Sequence, residues 1–142
     1  YSGGIPDIRI ITLKGSPIMG MLRLPTKESG GKANLHQGGV GVGIDLDSGK
    51  LTHAYDGDRY ITSHPDSGID IQGKQIPMWN EIINLTNQVS DAFPLDYLGI
   101  DIVIDKTRGP LVLEINVRPG LSIQMANKTG LRSKIGSLNT TA

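Results

Sequence analysis

The chain has 142 residues, with fourteen Lys+Arg balancing fourteen Asp+Glu, so no net charge draws it to nucleic acid or to an anionic membrane. With no cysteine, disulfides and thiolate metal sites are excluded, and one Phe, one Trp and four Tyr leave little to stack on bases. Gly 19 and Pro 8 together stay below the roughly 25–30% that marks low complexity. No apolar run approaches a membrane span and no signal-peptide pattern opens the chain, so the expectation is a soluble, cytoplasmic domain rich in turns, in contact with neither nucleic acid nor membrane.

The first sixty residues alternate with period two. Asp7–Lys14 and Pro17–Leu24 flank Gly15-Ser16, a two-residue hairpin signal, and Val40–Asp47 and Lys50–Asp56 flank Ser48-Gly49 in the same way. Between them, residues 25–39 form a polar, Gly-bearing stretch with Lys32, Asn34 and His36, and Tyr60–Gln75 reads as loop carrying His64-Pro65-Asp66. Pro77–Phe93 is the convincing helix: Pro77 suits the first helical position, and Met78, Ile82, Leu85, Val89 and Ala92 form an apolar stripe. Pro94 ends it. Two more strands follow, Tyr97–Asp105 and Pro110–Val117, joined by Lys106-Thr107-Arg108-Gly109, then a short helical segment over Ser122–Gly130 and a polar tail. The expected fold is a single α+β domain over 1–142, an antiparallel β-sheet with helices packed on one face.

The last hairpin carries the chemistry. Ile100, Ile102 and Ile104 share one face and Asp101, Val103 and Asp105 the other; Leu111, Leu113, Ile115 and Val117 are opposed in the same way to Val112, Glu114 and Asn116. A four-residue loop sets Ile104 opposite Leu111 and Asp101 opposite Glu114, with Asn116 one step along. Two opposed carboxylates repel and call for compensation. Three oxygen donors suit Mg²⁺ with phosphate; the same pattern also fits a solvated polar face, or carboxylates paired with Arg or Lys.

Other groups stay open on pattern alone. Arg23, at the end of an apolar strand, is either a phosphate clamp or an exposed edge arginine, and Arg9 suits a cross-strand ion pair. Lys32 and Asn34 lie in a loop that is solvated by default, and His36, His53 and His64 lack metal-ligand spacing and suit structural or loop roles. Gly68–Lys74 matches G-x-x-x-x-G-K, but Gln75 replaces the Ser/Thr and no strand leads directly to a helix, so it is no P-loop. The glycines of 38–43 lead into a strand and form no dinucleotide fingerprint.

Taken in order, Asp7-Ile8-Arg9, the strand ending in Arg23, Asn34-Leu35-His36-Gln37-Gly38-Gly39, Leu98-Gly99-Ile100-Asp101, and Leu113-Glu114-Ile115-Asn116 with Pro119-Gly120-Leu121 resemble the C-terminal half of an ATP-grasp ligase. The likeness runs from Asp7 to about Leu131. It is nearest to the alpha-L-glutamate ligase type that modifies a ribosomal protein, and to ligase-related proteins associated with sugar transfer, towards which His64-Pro65-Asp66 and Ile76-Pro77-Met78-Trp79 lean.

The resemblance implies ATP with Mg²⁺ (Mn²⁺ as an alternative ion) as cofactors and Asp101, Glu114 and Asn116 as metal ligands. It further implies triphosphate contact by Arg23, a phosphate or acceptor-side role for Asn34, and a phosphate-side cation at Lys32, where such ligases more often carry arginine. Arg23 and Asn34 would then serve catalysis. The implied reaction joins a small-molecule or peptide carboxylate to an amine through an acylphosphate. Such ligases are longer, and Tyr1 falls just after the strand and hinge where they hold adenine. The chain is therefore expected to be a fragment, silent alone, of a longer ligase. A non-catalytic nucleotide-binding or interaction module on the same half-fold is the competing expectation. A metal-dependent hydrolase would need a further base or metal set that the sequence does not offer.

Overall fold

A computed structural model describes residues 5–28, 30, 38–93, 95–117 and 122–128. Among these residues seven strands form one antiparallel sheet: β1 (Asp7–Leu13), β2 (Ser16–Leu24), β3 (Val40–Ile44), β4 (Leu51–Tyr55), β5 (Tyr60–Ile61), β6 (Tyr97–Asp105) and β7 (Gly109–Asn116). The order across the sheet is β5-β4-β3-β2-β1-β6-β7, so β1 and β2 lie at its centre and β7 at an edge. Among the described residues two helices accompany it, α1 (Trp79–Ala92) and α2 (Ser122–Asn127). Among the described residues no helix is long and apolar enough to cross a membrane.

Alternation along the strands builds two cores. Ile8 and Ile10 of β1, Val40 and Val42 of β3 and Leu98, Ile100 and Ile102 of β6 turn to one side, where Trp79 and Ile82 of α1 cover them. Ile11, Met19 and Met21 turn to the other, where Ile123 and Ala126 of α2 pack. The antiparallel sheet is as expected, but the helices lie on opposite faces rather than together on one. The apolar line of α1 holds in part, with Ile82 buried and Leu85 and Val89 packed partly buried against the same core. Trp79, Ile82, Thr86 and Ser90 are buried, whereas Met78 is 42% exposed and Ala92 is exposed. Two hydroxyls on the buried face are possible because each finds a partner: Ser90 Oγ donates to Thr12 Oγ1 at 3.0 Å and Thr86 Oγ1 to Ile82 O at 2.8 Å. Pro77 lies before the helix, and Met78 caps it in the left-handed conformation with φ 59°.

Both functional hairpins depart from a simple two-strand register. The first turn is Lys14-Gly15, with φ 49° and 84°, one residue earlier than Gly15-Ser16, and positive φ at both positions is the twist-matched two-residue turn. A bulge at Ile18 then brings Asp7 opposite Arg23. In the last hairpin Asp105 pairs with Gly109, Ile104 with Pro110 and Val103 with Leu111, so the register expected near the loop is off by one residue. A bulge at Leu113 absorbs that residue, and Asp101 faces Glu114 after all. The apolar faces therefore do not match throughout: Val112 joins the core beside Ile102, and Leu113 is left 62% exposed.

Tyr60–Gln75, expected to be loop, contains β5 and two bridges, Ser63 with Asp70 and Lys50 with Gln75.

Candidate functional site

The face that carries α2 also carries a strip of charge. On β1 the residues beside Ile11 on that face are Arg9 and Asp7, and on β2 the residue following Met19 and Met21 is Arg23. The helix covers the methionine end of these strands and leaves the charged end to be satisfied by its own members. Arg9 sits opposite Asp101 across β1 and β6, and Asp7 opposite Arg23 across β1 and β2, so each pair is a directly opposed cross-strand pair of opposite sign.

Each pair is bidentate. Arg9 Nε donates to Asp101 Oδ1 at 2.8 Å and Nη2 to Oδ2 at 3.0 Å. Arg23 Nε donates to Asp7 Oδ1 at 2.6 Å and Nη2 to Oδ2 at 2.7 Å. Arg23 Nη2 also lies 3.0 Å from Asp101 Oδ2, joining the two pairs into one network. The side chains are 3% (Asp101) to 16% (Arg23) exposed, so the forks work in a partly dry setting where charge-assisted bonds are strong.

Burial pushes the Asp7 carboxyl above its ordinary value, against the pull of Arg23. Burial also opposes charge on Arg23, yet its hydrogen bond to Asp7 and the neighbouring Asp101 carry the guanidinium above its usual value. One shift favours a neutral carboxyl and the other a charged guanidinium. Two short, parallel donor contacts are the geometry of an ionised carboxylate, and the pair is ionised at neutral pH.

Beside this network stands Glu114, directly opposite Asp101 and exposed on the edge strand β7. Asn116 follows on the same face, half-buried and paired with Gly99. The structure thus brings together four predicted site residues, Arg23, Asp101, Glu114 and Asn116. Lys32 and Asn34 lie outside the described residues, as do His36, Arg118 and Pro119-Gly120-Leu121.

Asp101 and Arg9 adopt the Arg-paired arrangement that the pattern had left open. Asp7 is the residue that sequence reasoning left without a role. Its signal was the turn: a Lys14-Gly15 turn with one bulged residue puts Asp7 opposite Arg23, whereas a Gly15-Ser16 turn does not.

Among the described residues no group of three or more His, Cys, Asp or Glu is placed to hold a metal ion. The oxygen donors side by side on this face are two carboxylates, Asp101 and Glu114, and the amide of Asn116. This hard-oxygen set suits a cation that completes its shell with water and phosphate. Asp101 spends about three of its roughly four lone-pair positions on Arg9 and Arg23, so Glu114 is the less committed of the two carboxylates. The donors fit such a cation.

Compared with known protein families, residues 1–140 match the family described as sugar-transfer associated ATP-grasp. The chain belongs to that family. No curated protein matches it. ATP-grasp proteins are generally ligases that bind ATP with divalent metal ions, so membership supports ATP binding and a ligase-like or nucleotide-binding character. Within this sugar-transfer associated ATP-grasp chain the two described histidines, His53 and His64, belong to no group placed to hold a metal ion. His64 is buried in a loop contact, and His53 on β4 keeps a buried Nδ1 without a hydrogen-bond partner.

Proposed function

We propose that this chain carries the phosphate- and cation-binding part of an ATP-dependent carboxylate–amine ligase. The observation that supports the reading most is the meeting of Arg23, Asp101 and Glu114 on one sheet face of an ATP-grasp chain. The described contacts of Arg23 use Nε and Nη2, which leaves its Nη1 donors for an oxygen of a transferring phosphoryl group. Asp7 holds that guanidinium in place, so little reorganisation is needed as charge develops. Arg9 does the same for Asp101.

Mg²⁺ or Mn²⁺, held by Glu114, Asn116 and the remaining capacity of Asp101, would supply neutralisation of the β- and γ-phosphates. The γ-phosphoryl group passes to a substrate carboxylate, giving an acylphosphate and ADP; an amine then displaces phosphate and forms an amide. Lys32 would add charge on the phosphate side, and Asn34 would bind phosphate or acceptor. Glutamate as the added amino acid is the finer form of this reading.

The competing reading, a non-catalytic nucleotide-binding module, draws on the network itself, because Asp101 is already neutralised without a ligand. Glu114 speaks against it. This carboxylate stands opposite another and makes no described ion pair, which a purely structural sheet has no use for. The test is ADP release by the intact protein with Mg²⁺ and ATP across a panel of carboxylates and amines. Release that requires both co-substrates is expected; nucleotide binding with no release under any pairing would overturn the ligase reading.

A further inference from the structure

A guanidinium carries five N–H donors in one plane, and the contacts of Arg23 account for three of them. The fork on Asp7 takes Nε–H and one Nη2–H. The reach to Asp101 Oδ2 at 3.0 Å takes the second Nη2–H. That hydrogen lies on the outer edge of the guanidinium, parallel to an Nη1–H. The outer edge is the one that can grip an oxyanion through two parallel bonds, and Asp101 occupies half of it.

Asp101 is itself shared. Arg9 holds it at 2.8 and 3.0 Å, and Glu114 stands directly opposite on β7, so the two carboxylates that would draw in a divalent cation meet at Asp101. A cation there and the Arg23 guanidinium compete for one negative charge and repel each other. The donors on Asp101 do not resist equally. Arg9 pairs with Asp101 alone among the described residues. Arg23 has a second carboxylate, Asp7, which it holds at 2.6 and 2.7 Å, closer than its 3.0 Å reach to Asp101. The Arg23–Asp101 contact is therefore the one that yields, and Asp7 keeps the guanidinium in place when it does.

We infer that the Arg23–Asp101 contact is a latch that couples oxyanion binding at Arg23 to cation binding at Asp101 and Glu114, each strengthening the other. This rests on the cation- and phosphate-binding reading proposed above and adds its regulation. Without a cation, Asp101 leaves a phosphate only the Nη1 donors of Arg23. With a cation on Asp101, the outer edge opens for a two-pronged contact. By reciprocity, an oxyanion on that edge releases Asp101 and tightens cation binding by the same factor.

Two measurements on the intact protein test the latch, and neither needs turnover. In the first, Mg²⁺ alone is titrated against protein carrying ¹³C in its carboxylates and ¹⁵N in its arginines. The Asp101 and Glu114 carboxyl resonances should shift, and the Arg23 Nη2 signal should follow the same saturation curve while Arg23 Nε stays in place. Carboxyl shifts with Arg23 Nη2 unmoved would overturn the latch and leave the cation reading standing; no carboxyl shift would overturn both. In the second, inorganic phosphate is titrated without metal against the unaltered protein, Asp101→Asn and Glu114→Gln. Each substitution removes one negative charge, but only the first loosens the grip on Arg23. Asp101→Asn should bind phosphate about fivefold tighter, the scale of one added hydrogen bond, and Glu114→Gln should stay within about twofold of the unaltered protein. Equal gains in the two variants would be an effect of charge alone and would overturn the proposal, as would no gain in either. Should Asp101→Asn fail to fold, the Mg²⁺ titration of the unaltered protein decides.

Discussion

Arg23 holds Asp7 with a two-pronged contact at 2.6 and 2.7 Å and still reaches Asp101 at 3.0 Å, so one guanidinium serves two carboxylates. The dependence is asymmetric. Removing Arg23 strips charge compensation from both acids at once, whereas neutralising Asp7 removes a charge that burial already disfavours. Arg23→Met should cost about 3 kcal/mol, the lower end for breaking a buried ion pair, since these side chains keep some exposure. Asp7→Asn should cost about 1 kcal/mol, the scale of one hydrogen bond. Urea denaturation of the two variants checks the order; equal losses would show that Arg23 does not couple the two acids.

Glu114→Gln separates site from scaffold. Its carboxylate faces that of Asp101 across the β6–β7 ladder, so neutralising it should leave the thermal midpoint unchanged or slightly raised. Turnover should fall at least ~100-fold, equivalent to about 2.7 kcal/mol of transition-state stabilisation. ADP release at saturating ATP, measured beside the melting curve, tests both halves. Near-normal release would remove Glu114 from the site.

Gly43 of β3 lies tightly against the end of α2. A Cβ there would lie 2.5 Å from Ala126 O and from Thr52 Oγ1, and 2.9 Å from Asn127 Oδ1. The helix would have to lift, loosening the bond from Asn127 Nδ2 to Gly20 O at 2.9 Å. Gly43→Ala should destabilise by about 1–3 kcal/mol, as overpacking does. Hydrogen exchange in α2 should accelerate more than in α1; equal acceleration would mean that the strain spreads through the whole sheet.

Acid titration should show two opposite signs. Asp105 Oδ1 accepts from the backbone N–H groups of Arg108 and Thr107 and from the Thr107 hydroxyl, which holds its carboxyl below the ordinary 3.8. Its contribution is complete above that value and is lost as pH falls through the lower folded one. Asp7, raised from 3.8 by burial, works the other way: its contribution is present below that value and lost as pH rises through the higher folded one. The amide resonances of Thr107 and Arg108 should titrate below pH 3.8, and the carboxyl resonance of Asp7 above it. A reversed order would contradict both environments.

Period-two alternation was enough to read the central strands, because side-chain parity survives small errors at strand ends. Where the chain inserts a residue, parity alone fails. The bulges at Ile18 and Leu113 each flip the remainder of a strand, and nothing in the residues SPIMG or LVLEI announces them. The expected register at Asp101 was reached through a loop one residue too long and a strand without its bulge, two errors that cancel. Asp7 was missed for the same reason, since its partner depends on where the first turn closes. The helical stripe is legible at Ile82, Leu85 and Val89 but not at Thr86 and Ser90, which read as polar; their hydrogen bonds, invisible in sequence, let them face the core.

Two guanidiniums against two carboxylates leave the Asp7–Arg9–Arg23–Asp101 strip with no net field beyond its own dimensions. A polyphosphate approaching from bulk solvent would feel little steering from it, since attraction over a Debye length needs uncompensated charge. Capture by these four residues is thus a short-range event, governed by the fit of donors to oxygens after contact. Its rate should be nearly indifferent to ionic strength, unlike that of an open basic groove.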